Sequence, residues 1–179
     1  MGHREHRRQA PRRVSVAVLT ISDTRNEKTD LGGRLICRRL ADAGHEVAQY
    51  RIVPDVPARI RSVVREWSRS QAVEAMILTG GTGISPRDGT IESVEKLLSR
   101  KLEGFGEIFR FLSYRQVGSA AFLSRALAGV CAGKPLFSLP GSEKAVRVGM
   151  DRLILPVLGH LIQQRGKTEK DLAFWNAEW

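Results

Sequence analysis

No stretch of this 179-residue chain approaches the ~20 successive apolar residues that a membrane-spanning helix needs, so a helical span is excluded. Cysteine is scarce: Cys37 and Cys131 are too few for a disulfide framework, and both sit in apolar, element-like surroundings. A reduced, cytoplasmic protein is the expectation. The N-terminus is charged and has none of the apolar character of a secretory signal. His3, His6, His45 and His160 are scattered without metal-ligand spacing, which argues against a zinc site. Acidic residues are outnumbered, 19 against 29 lysines and arginines, for a formal charge of +10. Residues 1–13 hold five of those arginines against one glutamate, so +4 falls on an arm expected to be disordered. The remaining positive charge favours an anionic partner. Nucleic acid is not the expected one, because no platform of interleaved basic and aromatic residues is present.

What is present suits one globular domain, since 42% of the residues are hydrophobic. Residues 14–21, VSVAVLTI, are β-branched and almost wholly apolar, the pattern of a strand buried on both faces. Residues 31–43 space apolar side chains as a helix does, with Gly44 as the stop. A second strand is expected over residues 46–53, a helix over 57–67 with Pro57 in its first turn, and a third strand over 73–78. A βαβαβ series of this length implies a parallel sheet with right-handed crossovers. Helices are expected near 91–98, capped by Thr90, and near 105–114. Strands are expected near 127–130 and 136–139, and Ser142 should cap one long helix to about residue 164. Trp67 reads as core. The domain thus spans residues 14–164, with a polar tail over 165–179 that contains Trp175 and Trp179.

Chemistry concentrates at the carboxyl ends of the strands, where open parallel sheets bind ligands. The third strand runs into TGGTGISPRD at residues 79–88. Glycines lack Cβ and accept positive φ, so the N–H groups of Gly80, Gly81, Thr82 and Gly83 can converge on an anion, helped by the hydroxyls of Thr79 and Thr82. The loop is not a Walker loop, because Gly83 is followed by Ile-Ser-Pro rather than Lys-Ser/Thr. Nor is it a dinucleotide fingerprint, since the spacing differs and it does not follow the first strand. Clustered glycines alone are equally compatible with a tight turn that holds nothing. Arg87 and Asp88 at its far end favour chemistry. Asp55 follows the second strand, where it could cap the next helix or face a ligand. Asp23, Thr24 and Asp30 follow the first strand, in what could be an ordinary polar turn. Adjacent parallel strands should bring these groups to one cleft. Two carboxylates beside a phosphate loop suit Mg²⁺, which commonly takes one or two carboxylates plus phosphate oxygens.

The motifs TISDTR (20–25), VPD (53–55), TGGTGISPRD (79–88), GFGEIFR (104–110), LSRALAG (123–129) and LPGS (139–142) occur in an order that resembles the MoaB/MogA family of molybdenum cofactor biosynthesis proteins, closer to its MoaB branch. The resemblance covers residues 14–164. It implies a three-layer α/β/α fold with a mostly parallel sheet, assembled into homotrimers or hexamers. It implies molybdopterin and ATP as substrates, Mg²⁺ as cofactor, and transfer of AMP to the terminal phosphate of molybdopterin. The alternative it allows is an oligomeric molybdopterin-binding protein without catalysis. Asp55 and Asp88 match the family's two essential aspartates, as catalytic and Mg²⁺-binding residues. Asp23, Thr24, Asp30, Thr79, Gly80, Gly81, Thr82, Gly83, Ser113, Ser124, Pro140 and Gly141 match positions around the nucleotide and the pterin phosphate. Two departures stand out. Gly89 and Ile91 replace a valine and a proline after the RD pair, and Asp30-Leu31-Gly32-Gly33 lacks a serine hydroxyl usual there.

Overall fold

The computed structural model of the protein describes residues 11–165. Most of the basic arm and most of the polar tail, with Trp175 and Trp179, lie outside the described residues. A six-stranded sheet has the order β2-β1-β3-β6-β5-β4. Its strands are β1 (Ser15–Ile21), β2 (Glu46–Val53), β3 (Ala75–Thr79), β4 (Arg100–Lys101), β5 (Leu127–Cys131) and β6 (Lys134–Leu139). β1 pairs in parallel with β2 and β3, and β3 pairs in parallel with β6. β5 and β4 run antiparallel to their neighbours. The sheet is therefore mostly parallel, with a short hairpin edge.

Among the described residues six α-helices cover it: α1 (Leu31–Asp42), α2 (Pro57–Arg69), α3 (Thr90–Glu95), α4 (Glu103–Val117), α5 (Glu143–Val148) and α6 (Leu158–Arg165). The two-residue period of the strands sorts side chains into two cores. Val16 and Val18 of β1 and Ile77 of β3 pack with Ile36 and Leu40 of α1, Phe109 of α4 and Val146 of α5. Ala17, Leu19, Met76 and Leu78 point the other way, against Ile60, Val64 and Trp67 of α2 and Val94 of α3. Three layers result. No helix among the described residues is long and apolar enough to cross a membrane. Both cysteines are free thiols; burial, then the charge of Asp30, pushes Cys37 up to about 11, so it is a poor nucleophile.

Three local expectations need correction. Asp55 does not cap α2, whose N-cap is Val56 with no side-chain bond; Pro57 in the first turn supplies the start instead. Thr90 does not cap α3 either: Gly89 holds that position, and Thr90 is the first helical residue. The long C-terminal helix is interrupted. Ser142 Oγ does accept from Ala145 N at 3.3 Å, but α5 passes at Gly149 into a π-helical turn, Gly149–Ile154, before α6 begins. Pro156 lacks the N–H that a continuous helix would use, and the Leu155 N–H donates to Met150 O at 3.0 Å, the widened π step.

The topology fixes where a ligand can go. From β1 the chain crosses to β2 on one side, and β3 then lies on the other side of β1. That reversal opens a crevice beyond the carboxyl ends of β1 and β3.

Candidate functional site

A cavity of about 540 Å³ occupies that crevice. Four strand ends supply its walls: Asp23, Thr24 and Arg25 after β1, Asp55 after β2, residues 80–83 with Arg87 and Asp88 after β3, and Pro140 with Gly141 after β6. Leu123 and Ser124, from the 3-10 segment Gly118–Leu123 and the residue after it, close one side.

The glycine loop is pressed into place. Gly80 N donates to Leu139 O at 3.0 Å, and the buried Thr79 hydroxyl donates to Pro140 O at 3.2 Å. Gly80 and Gly81 turn through the left-handed region, at φ +100° and +60°. A Cβ on Gly80 would stand 2.2 Å from the Ile21 carbonyl oxygen, and one on Gly81 would stand 2.2 Å from both Asp55 Oδ2 and Thr90 Oγ1. Only glycine fits at either position. Gly83 is crowded in the same way by the Asp88 carboxylate, 2.6 Å from where its Cβ would be.

The loop's carbonyls and amides are treated differently. Arg125 Nε donates to Thr82 O at 2.9 Å, and its Nη2 reaches the carbonyls of Gly83 and Asp88. Its Nη1 pairs with Glu92. One guanidinium therefore gathers three acceptors of the loop. The N–H groups of Gly81, Thr82 and Gly83 donate to no protein acceptor among the described residues. Free amides on a glycine loop, with the carbonyls tied back, are what an anion requires. By sequence alone, Arg125 could touch a phosphate, although an exposed helical arginine is the commoner case. It follows the 3-10 segment in extended chain, and its place in LSRALAG is the only available signal.

Each catalytic candidate uses one carboxylate oxygen to brace the backbone and keeps the other. Asp55 Oδ1 accepts from Gly89 N at 3.4 Å, and Asp88 Oδ2 accepts from Ser85 N at 2.8 Å. Asp55 Oδ2 and Asp88 Oδ1 take no hydrogen bond from the described residues. Beside Asp55 Oδ2 lies Thr90 Oγ1, buried and without a partner. Burial first, and then the charges of Asp88 and Asp23, push the Asp55 carboxyl above its ordinary range, against the opposing pull of the Gly89 N–H and Arg87. Asp23 is tied in by two contacts: Oδ1 accepts from Asp55 N at 3.2 Å, and Oδ2 pairs with Arg87 at 2.8 Å. Two free carboxylate oxygens and an orphaned hydroxyl are hard donors, and their repulsion would be relieved by a cation, so they fit Mg²⁺. No group of three or more His, Cys, Asp or Glu among the described residues could hold a metal ion. Substrate phosphates would have to complete the coordination.

Three candidates do not line the cavity. Thr79 is buried beneath it. Ser113 is buried on α4. Asp30 is fully buried as the N-cap of α1: Oδ1 accepts from Gly33 N at 2.9 Å, and Oδ2 accepts the hydroxyls of Thr20 at 2.5 Å and Tyr50 at 2.6 Å. Burial and the bond to Asp30 push the Tyr50 phenol well above its usual value.

The family model described as a probable molybdopterin binding domain matches residues 17–160. Molybdenum cofactor biosynthesis protein B of Bacillus cereus is 48% identical over 158 residues, covering 88% of this chain and 94% of that protein. A crystal structure of a molybdenum cofactor biosynthesis protein B superposes with a TM-score of 0.86 at 45% identity, over 89% of this chain and all of that one. The molybdopterin biosynthesis enzyme MoaB of Thermus thermophilus superposes with a TM-score of 0.76 at 38% identity, over 86% of this chain and 98% of that one.

The crowding at Asp55 predicts a cost in stability. Its folded pKa lies above the unfolded value, so the folded protein holds this proton more tightly than the unfolded chain does. The charge therefore destabilises the fold above the folded pKa, and this cost vanishes below the ordinary value of 3.8. Asp55→Asn, which keeps an acceptor for Gly89, should raise Tm by about 2 °C at pH 7, with the gain shrinking as the pH falls towards that value. Thermal melts across pH test this, and a lowered Tm at pH 7 would contradict it.

Proposed function

The chain belongs to the molybdopterin-binding domain family, on the branch of molybdenum cofactor biosynthesis protein B, and from that premise we propose that it transfers AMP from Mg·ATP to the terminal phosphate of molybdopterin. One observation carries the reading: Asp55 and Asp88, from different strand ends, each keep a free carboxylate oxygen beside a glycine loop with free amides, in one cavity.

In this reaction a phosphate oxygen of the pterin forms a bond to the α-phosphorus of ATP. The bond from that phosphorus to the bridging oxygen breaks, and pyrophosphate leaves with the electron pair. The attacking oxygen is already ionised, so no general base is needed. The protein's work is positioning and compensation of charge. The free oxygens of Asp55 and Asp88 would hold Mg²⁺, which would supply neutralisation of the crowded phosphate charge. The N–H groups of residues 81–83 hold phosphate oxygens, and Arg125 keeps the loop's carbonyls from facing them. Arg87, paired with Asp23, adds positive charge at the cavity mouth.

The same reading includes assembly of copies of this chain. Ile108, Phe111 and Tyr114 recur along one side of α4 and are 51%, 64% and 62% exposed. Phe122 and Leu123 extend this apolar surface to the cavity edge. A partner copy that covers it would also screen the site from water.

Purified protein given molybdopterin and Mg·ATP should yield adenylylated pterin and pyrophosphate. Asp88→Asn should lower kcat about 100-fold or more while pterin still binds. Bound pterin with no product from the wild type would leave a binding protein and defeat the enzyme. In light scattering, the wild type should run as a trimer or a multiple of it, and Phe111→Glu should shift it to monomer. A monomeric wild type would contradict the assembly.

A further inference from the structure

Arg25 and Arg87 line the cavity and Arg125 braces its glycine loop; the last two are engaged. Arg87 is paired with Asp23, and Arg125 is held by the loop carbonyls and Glu92. Arg25 is different. Its backbone N–H donates to Ser22 Oγ at 3.2 Å, which fixes the turn after β1. Its guanidinium makes no hydrogen bond to the described residues. The nearest carboxylate oxygen, Asp30 Oδ1, is 3.8 Å from Nη1, beyond hydrogen-bond reach, and that oxygen already accepts from Gly33 N. Asp30 therefore orients Arg25 by charge without using its donors.

The guanidinium lies against bare backbone. A Cβ on Gly141 would be 3.3 Å from Arg25 Nη1 and 3.3 Å from the Gly80 Cα. A Cβ on Gly32 would be 3.7 Å from the same nitrogen. Arg25 thus marks the Gly80–Gly141 end of the cavity, whereas the carboxylates gather at the Gly81 end, around Asp55. The free carboxylate oxygens belong to the Gly81 end, and the guanidinium donors left without a hydrogen bond belong to the Gly141 end. A triphosphate that brings its own Mg²⁺ suits the carboxylate end. A phosphate without a metal needs a cation from the protein, and a guanidinium whose planar fork of donors makes no hydrogen bond is matched to it.

We propose that Arg25 and the turn at Gly141 form a second anion subsite, specific for a metal-free phosphate monoester. Which phosphate it takes rests on the adenylyl-transfer reading: the terminal phosphate of the acceptor, held so that it meets the α-phosphorus of a nucleotide at the Gly81 end. The subsite itself depends only on the geometry of the cavity.

The test is calorimetric titration of wild type, Arg25→Lys and Arg25→Met, once with inorganic phosphate in EDTA and once with Mg·ATP. Arg25→Met should weaken phosphate about tenfold or more, and Arg25→Lys should recover part of that by keeping the charge without the fork. Affinity for Mg·ATP should change less than about threefold in both variants. No saturable phosphate binding by the wild type, unchanged affinity in Arg25→Met, or equal loss of both ligands in Arg25→Lys would overturn the subsite. Turnover separates this from the function. Phosphate held through Arg25 with no adenylylated product would defeat the transfer and keep the subsite. Product made by Arg25→Met with wild-type KM and kcat would do the opposite.

Discussion

Two consecutive peptide units, those of Gly80 and Gly81, pass through a space in which no side chain can exist, and the rest of the site is arranged around them. One side is closed by the carbonyl of Ile21 at the end of β1, and the other by the carboxylate of Asp55 at the end of β2. The positive φ of both residues turns the chain sharply off β3 and over the crevice between β1 and β3. The fold supplies the crevice through its strand order. The glycines allow backbone, rather than side chain, to form its floor, so that backbone amides can face a phosphate directly.

Charge is distributed on the same plan. Three carboxylates and two arginines, Arg25 and Arg87, line one cavity in a chain of formal charge +10, and Arg125 braces its glycine loop. Carboxylates and guanidinium groups that brace the loops are engaged by protein partners. Those that keep atoms without a hydrogen bond are Asp55 and Asp88, with one oxygen each, and the guanidinium of Arg25, which only Asp30 faces by charge. The upward shift at Asp55 comes first from burial and then from Asp88 and Asp23: the fold keeps a partly buried carboxylate beside two others at some cost to its stability, a pattern typical of sites where charge is kept for a ligand.

Much of this was legible in the sequence because strands buried on both faces write themselves as apolar runs. The range of β2 matched over Glu46–Val53, and β1 and α1 matched to within a residue or so. The convergence of strand ends followed from parallel topology alone. Other features were not legible. The two-residue β4 has no apolar pattern to show. Asp55 and Thr90 occupy positions typical of helix caps, but the tight glycine loop brings them towards Gly81, and that depends on a contact between distant segments. Arg125 reads as one more basic residue until its three carbonyl partners, 37 to 43 positions away, are in view. The break before α6 arises from Pro156 in an otherwise helical run, which sequence reasoning passed over.

The central claim is that this cavity holds a metal-bridged nucleotide between the two aspartates and the glycine amides. A crystal structure grown with Mg²⁺ and a non-hydrolysable ATP analogue addresses it most directly. The account predicts phosphate oxygens within hydrogen-bond distance of the amides of residues 81–83, and an ion touching both Asp55 and Asp88. A nucleotide seated elsewhere on the subunit, or one in this cavity whose phosphates avoid those amides and whose metal touches neither aspartate, would contradict it.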